Sequence, residues 1–200
     1  MLNNLFTLRR RLLRKFYIPY NRYKLIAFGV KVARGCLIYN KFYVEISANA
    51  NISIGDNFTL TSGDSFNPLC KAQRASIYVE ENASLQIGNN VGASSPTIWV
   101  KNEVFIGNNV KIGGDSIIMD TDCHCVNYLS RRDPKIDGPQ CGSSPIVIED
   151  DVLIGTRCII LKGVTIGARS IIAAGSVVTK SIPSDSIAAG NPAKVVRILK

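Results

Sequence analysis

From residue 146 onward, large apolar residues recur at a strict spacing of six. Ile148, Ile154, Ile160, Ile166, Ile172 and Val178 hold the pattern without a miss. The positions two residues earlier, Ile146, Val152, Cys158, Val164, Ser170 and Ser176, are all small or β-branched. A helix turns about 100° per residue, so a spacing of six walks round its surface and builds no face. In a strand six is even, and all anchors point one way. Yet a single strand of more than thirty residues would be about 100 Å long, far beyond any strand of a compact domain. The chain must bend once per repeat, and Gly155 and Gly167, directly after their anchors, offer permissive backbone for it. Short strands that coil and stack make an all-β fold, a parallel β-helix of hexapeptides.

The same period runs upstream. Ile106, Ile112 and Ile118 share the phase, with Gly107 and Gly113 behind the first two, and the units around Ile87 and Ile54 are less regular. With three sides to a coil, residues 106–123, 148–165 and 166–183 are predicted to be three coils. Ile118 and Ile148 are 30 residues apart where six would suffice, so 24 residues leave the ladder as an excursion loop over about 124–147. Its text, "CVNYLSRRDPKIDGPQCGSSP", has three prolines, two glycines and no period. Long loops in compact domains are mostly functional or disordered, and His124, the only histidine of the chain, stands at the root of this one.

Composition refines the picture at the N-terminus. The net charge of +9 is concentrated there: residues 1–24 carry seven arginines and lysines and no acid, leaving +2 for the rest. A nucleic-acid binder would spread its charge over the fold or carry a reading motif, and neither is found. Leu5, Leu8, Leu12 and Phe16 fall at helical spacing among the arginines, predicting a basic amphipathic helix over 1–24 that Pro19 stops. Two compatible readings follow: a shield for the open end of the solenoid, or attraction to anionic lipid at the inner membrane surface. The repeat domain is expected over 25–183 and a short tail over 184–200. No apolar run approaches the roughly 20 residues that span a bilayer, and no export signal is read. The six cysteines show no CxxC spacing and are expected to be reduced thiols in the cytoplasm.

Residues 152–199 resemble the C-terminal coils and tail of the hexapeptide-repeat acyltransferases, and among them the sugar and polysaccharide O-acetyltransferases. The segments "AAGSVVTKSIP" and "AAGNPAKVVR" carry the likeness, which extends more loosely back to about residue 50. The resemblance implies a left-handed β-helix, a homotrimer, and acetyl-CoA lying in the groove between neighbouring β-helices. It also implies a catalytic histidine before the final repeats. "DTDCHCVNYLSRRD" is similar to that family segment, with Cys125 where a proline is common. Thr156, Ala174, Thr179, Lys180 and Arg197 match coenzyme-binding positions, and Lys194 is a plausible addition. Trp99 is left open between lining the acceptor site and capping a coil.

Acetyl transfer from a thioester to an alcohol needs a base near neutrality, and His124 suits this. A base is usually oriented by a third group. Asp122 and Asp120 are the available carboxylates, because in an extended segment residues 120, 122 and 124 share one side. Cys123 and Cys125 then face away, and with fewer than four convergent ligands no metal site is expected. The reading is an acetyl-CoA-dependent O-acetyltransferase acting on a sugar of a surface polysaccharide or its precursor. An N-acetyltransferase on an amino sugar, free or nucleotide-linked, remains an alternative, as does a non-catalytic β-helix that binds sugar or scaffolds a complex.

Overall fold

The computed structural model describes residues 2–63, 67–70 and 73–200; the side chains of residues 2–6, Leu5 among them, lie outside the described set. Three sheets of six, eight and six strands form the faces of a coiled solenoid, and successive coils pair in parallel. The first face carries Glu103–Ile106, Ile146–Ile148 and Thr165–Ile166 in succession. The second carries Lys111–Ile112, Leu153–Ile154 and Ile171–Ile172, and the third Ile117–Met119, Ile159–Leu161 and Val177–Val178.

The six-residue anchors become columns inside this coil. Ile106, Ile148 and Ile166 stack on the first face, Ile112, Ile154 and Ile172 on the second, and Ile118, Ile160 and Val178 on the third. None of these nine side chains is more than 4% exposed. Burying each is worth about 1.5–3 kcal/mol relative to leaving it in water. Where the smaller inward position is polar it is satisfied: Ser170 Oγ donates to the Pro183 carbonyl at 2.7 Å and Ser176 Oγ to the Ala173 carbonyl at 2.6 Å. Residues 42 apart pair across the excursion, where 18 separate neighbours in the last two coils, so the inserted segment leaves the ladder without disturbing it.

The bends lie three residues past the anchors, at Gly163 and Gly175 among others, and not at the glycines directly after the anchors as expected. Asn90, Asn109, Asp151 and Arg169, each three residues past an anchor, take the left-handed backbone, with φ between 58° and 60°. Asn and Asp tolerate that region best among residues with a side chain. The asparagines are also joined in a ladder: Asn90 Nδ2 donates to Asn109 Oδ1 at 3.1 Å, and Asn109 Nδ2 to Asp151 Oδ1 at 3.0 Å. The glycines after the anchors serve close packing. A Cβ at Gly155 would stand 2.5 Å from the Ala174 nitrogen of the next coil.

The N-terminal helix, α1, spans Leu2–Ala27 and runs through Pro19 instead of stopping there. Tertiary contacts hold its second half. Asn21, 1% exposed, donates through Nδ2 to the carbonyls of Ile38 and Asn40, and Arg22 donates to that of Ala33 at 2.8 Å. Leu25 is buried in the core. The helix ends at Gly29, φ 81°, with Gly29 N donating to Ile26 O and Val30 N to Leu25 O, the paired bonds of a Schellman cap. At the other end of the chain, Ser186–Gly190 extends the second face, and Ala193–Ile198 folds back antiparallel to it as an edge strand.

Candidate active site

The excursion leaves the third face directly after Met119, and Asp120 pins its root. This carboxylate, fully buried, accepts from the backbone N–H groups of Lys101, Asn102 and Glu103 at 2.7–2.8 Å. Burial pushes its pKa above the ordinary value, against the pull of those three donors. Thr121 then bridges Ser143 on the returning arm, and Asp122 N donates to the Gly142 carbonyl at 2.8 Å. A short antiparallel clasp thus closes the base of the loop.

The excursion is not irregular throughout. It contains two short helices, α2 (Tyr128–Arg131) and α3 (Pro134–Gln140). Asn127 caps α2 by accepting from Leu129 N and Ser130 N, and Asp133 caps α3, with Pro134 at its first position. α3 carries the residue that meets the histidine. Asp137 Oδ2 lies 2.6 Å from His124 Nδ1, and Asp137 Oδ1 accepts from the Cys125 N–H at 2.7 Å. The imidazole and then that N–H hold the Asp137 carboxyl below its ordinary 3.8. A carboxylate on Nδ1 selects the tautomer that donates there and leaves Nε2 with a lone pair. The His124 side chain is 68% exposed and that of Asp137 14%, so a reactant can approach the ring while its partner stays sheltered.

Asp122, the carboxylate expected to orient His124, is engaged elsewhere: Lys162 Nζ sits 3.1 Å from its Oδ2. The reason is local. Cys123 has φ 60°, which breaks the strand alternation that would have set residues 120, 122 and 124 side by side. Asp122 instead lines a cavity of about 310 Å³ with Thr121, Ser144, Leu161, Lys162 and Thr179. Cys125 Sγ turns toward the Ile136 and Asp137 carbonyls, and Cys141 Sγ toward Lys101 Nζ, 3.0 Å away. Among the described residues no group of three or more His, Cys, Asp or Glu side chains is placed to hold a metal ion.

The five residues matched to coenzyme positions fall on two edges of the coil and on the tail. Thr156 and Ala174 lie at the bend between the second and third faces, one coil apart, where Thr156 Oγ1 donates to the Gly114 carbonyl. Thr179 and Lys180 follow Val177–Val178 at the opposite end of the third face, and Thr179 shares the cavity with Asp122. Arg197 and Lys194 are exposed on the edge strand of the tail, outside that group. Trp99 caps no coil end. It stands on the third face in register with Met119, packs edge-on against Tyr78 and donates Nε1–H to Glu80 Oε1 at 2.7 Å.

Comparison with known proteins bears on this arrangement. Residues 145–180 match the family model for the hexapeptide repeat of succinyl-transferase. The fold is similar to a galactoside acetyltransferase solved in complex with coenzyme A, at 25% identity and a TM-score of 0.55, over 98% of this chain and 82% of that one. Residues 145–180 thus carry a hexapeptide-repeat segment, and the fold as a whole is similar to that of a coenzyme A-binding acetyltransferase. Its parallel coils are those of the left-handed β-helix that the resemblance implied. A maltose O-acetyltransferase from Clostridium difficile 630 shares the fold at 22% identity and a TM-score of 0.53, over 98% of this chain and 86% of that one. Over 55 residues the chain is 51% identical to a 2,3,4,5-tetrahydropyridine-2,6-dicarboxylate N-acetyltransferase of Staphylococcus aureus. That match takes in 28% of this hexapeptide-repeat chain and only 23% of the relative's length.

Asp137 escaped the reading of the sequence, as did Lys162. The signal for Asp137 was present in "RDPKID": an Asp followed by Pro marks a helix start, and the next acid lies one turn on.

Proposed function

We propose that the protein is an acetyl-CoA-dependent O-acetyltransferase that acetylates a sugar hydroxyl of a surface polysaccharide or its precursor. The observation that carries this reading is the His124–Asp137 pair, set at the root of an excursion from a hexapeptide solenoid. The acceptor hydroxyl gives its proton to His124 Nε2 as its oxygen attacks the thioester carbonyl. The tetrahedral intermediate then collapses, the carbon–sulfur bond breaks, and the imidazolium returns the proton to the departing thiolate. Asp137 holds the ring and balances its transient charge. Acetyl-CoA is assigned to the third face, from Thr156 and Ala174 at one edge to Thr179 and Lys180 at the other, with Arg197 toward the nucleotide end. Asp122 and Lys162, in the cavity beside Thr179, are assigned to the acceptor side. We infer a homotrimer, in which a neighbouring coil closes the groove over the coenzyme. Six free cysteines accord with a reducing cytoplasm.

The stretch shared with the tetrahydropyridine-dicarboxylate N-acetyltransferase favours an amine acceptor as the second reading. Incubation with acetyl-CoA and a panel of sugars and amino sugars, read by thiol release and by mass spectrometry of the products, separates the two. O-acetylated sugar supports the first reading and N-acetylated amino sugar the second; absence of thiol release with every acceptor refutes both. His124→Ala is expected to lower turnover at least ~100-fold with the assembly intact, and near-normal turnover would remove the histidine from the mechanism.

A further inference from the structure

We propose that the outer face of α1 seats the protein on a bilayer surface that carries anionic headgroups. Leu8, Leu12, Phe16, Tyr23 and Ile26 are between 51% and 73% exposed, an unusual run for side chains of this size. At 100° per residue they fall within an arc of about 80°. Asn21 and Leu25, the residues that fasten α1 to the first coil, lie on the opposite side of the same helix. The helix therefore uses one face to close the solenoid and turns a second apolar face outward. The two roles that the sequence left side by side are thus performed by opposite faces of one element.

Charge complementarity decides what covers the outward face. Arg9, Arg10, Arg11 and Lys15 are exposed, and residues 1–24 contain no acid. Arg9 falls at one edge of the apolar arc and Lys15 at the other, with Arg11 next to it. Long cationic side chains so placed reach up to phosphate while the apolar arc enters the acyl boundary. A second copy of the same helix would set arginine against arginine. α1 has no 18-residue window apolar enough to cross a membrane, so the contact is parallel to the surface. The proposal deepens the functional reading, on which it rests only for the idea that the acceptor is met near the membrane.

The test is flotation of the full chain with vesicles of phosphatidylcholine alone or with about a third phosphatidylglycerol, at low and high salt. At least ~10-fold more protein is expected to float with the anionic vesicles, and the excess should shrink at high salt. Leu12→Glu with Phe16→Glu is expected to abolish flotation. Replacing Arg9, Arg10 and Arg11 by Gln is expected to abolish the preference for anionic lipid. All five positions are exposed, so the melting temperature and transfer to a water-soluble sugar should match the parent protein. Absence of flotation in the parent, or unchanged flotation of the Glu double variant, overturns the proposal. So does a double variant that changes assembly mass in centrifugation while the parent ignores vesicles, which would mean that a second copy covers the face. Flotation needs neither acetyl-CoA nor acceptor, so it stands or falls apart from the transferase assignment.

Discussion

The carboxylate of Asp137 makes two bonds to two donors, and that count predicts an inverted order of damage. Both His124 Nδ1–H, at 2.6 Å, and the Cys125 N–H, at 2.7 Å, need an acceptor, and a carboxylate supplies two oxygens. Asparagine supplies one. If its oxygen stays on the Cys125 N–H, its NH2 group faces Nδ1 and forces the tautomer with hydrogen on Nε2, the nitrogen proposed above as the base. If it flips, NH2 opposes the Cys125 N–H and two donors collide. Alanine removes the conflict: water can accept from Nδ1–H, because His124 is largely exposed. Asp137→Asn is therefore expected to lower kcat at least ~100-fold, the signature of a base held in the wrong tautomer. Asp137→Ala is expected to lose only about tenfold, from lost orientation. The Michaelis constant for acetyl-CoA should stay within about twofold in both. Steady-state thiol release with the best acceptor reads all of this, and a melt shows that the fold survives. Equal losses, or a milder loss in the Asn variant, refute the tautomer argument. A larger loss from Asp122→Asn than from Asp137→Asn would return the orienting role to Asp122.

Other outcomes follow from the same geometry. Lys180→Ala with Arg197→Ala should raise the Michaelis constant for acetyl-CoA several-fold, leave kcat nearly unchanged and show a weaker salt dependence, since both are exposed charges assigned to uniform binding; a fall in kcat alone would contradict the assignment. Gly155→Ala pushes a Cβ to 2.5 Å from the Ala174 nitrogen and should cost about 1–3 kcal/mol, a fall of about 2–12 °C in Tm for a chain of this size; an unchanged Tm would show that the coils shift freely. Asp137 is held below 3.8 in the folded loop, so its contribution to ordering the excursion is complete above that pH and is lost as pH falls through the lower folded value. Limited proteolysis between residues 125 and 140 should accordingly stay flat from pH 7 to about 4 and rise below it; a rise between pH 7 and 5 would mean that another group controls the loop.

What the sequence alone determined is the repetitive part. A six-residue period admits one backbone solution, because each anchor meets the same environment as the one a coil earlier, and the 24 surplus residues had to leave the ladder where the period stops. Local signals failed wherever a contact far along the chain overrode them. Pro19 ends a helix in isolation, yet Asn21 and Leu25 dock on the first coil and carry α1 past it. The glycines after the anchors looked like bends, but the spacing between coils, which no single coil encodes, makes them packing positions and leaves the bends to residues three past the anchors, such as Asn109, Asp151, Arg169 and Gly175. The histidine stood out as a candidate because it is unique and stands at the break in the period. Its partner was not, because one residue with positive φ, Cys123, turns Asp122 toward Lys162 and lets α3 bring Asp137 across thirteen residues. Proximity in sequence nominated the wrong neighbour for the imidazole; only the folded excursion, whose helices are held by their caps and by the clasp at Thr121 and Ser143, decides which carboxylate His124 meets.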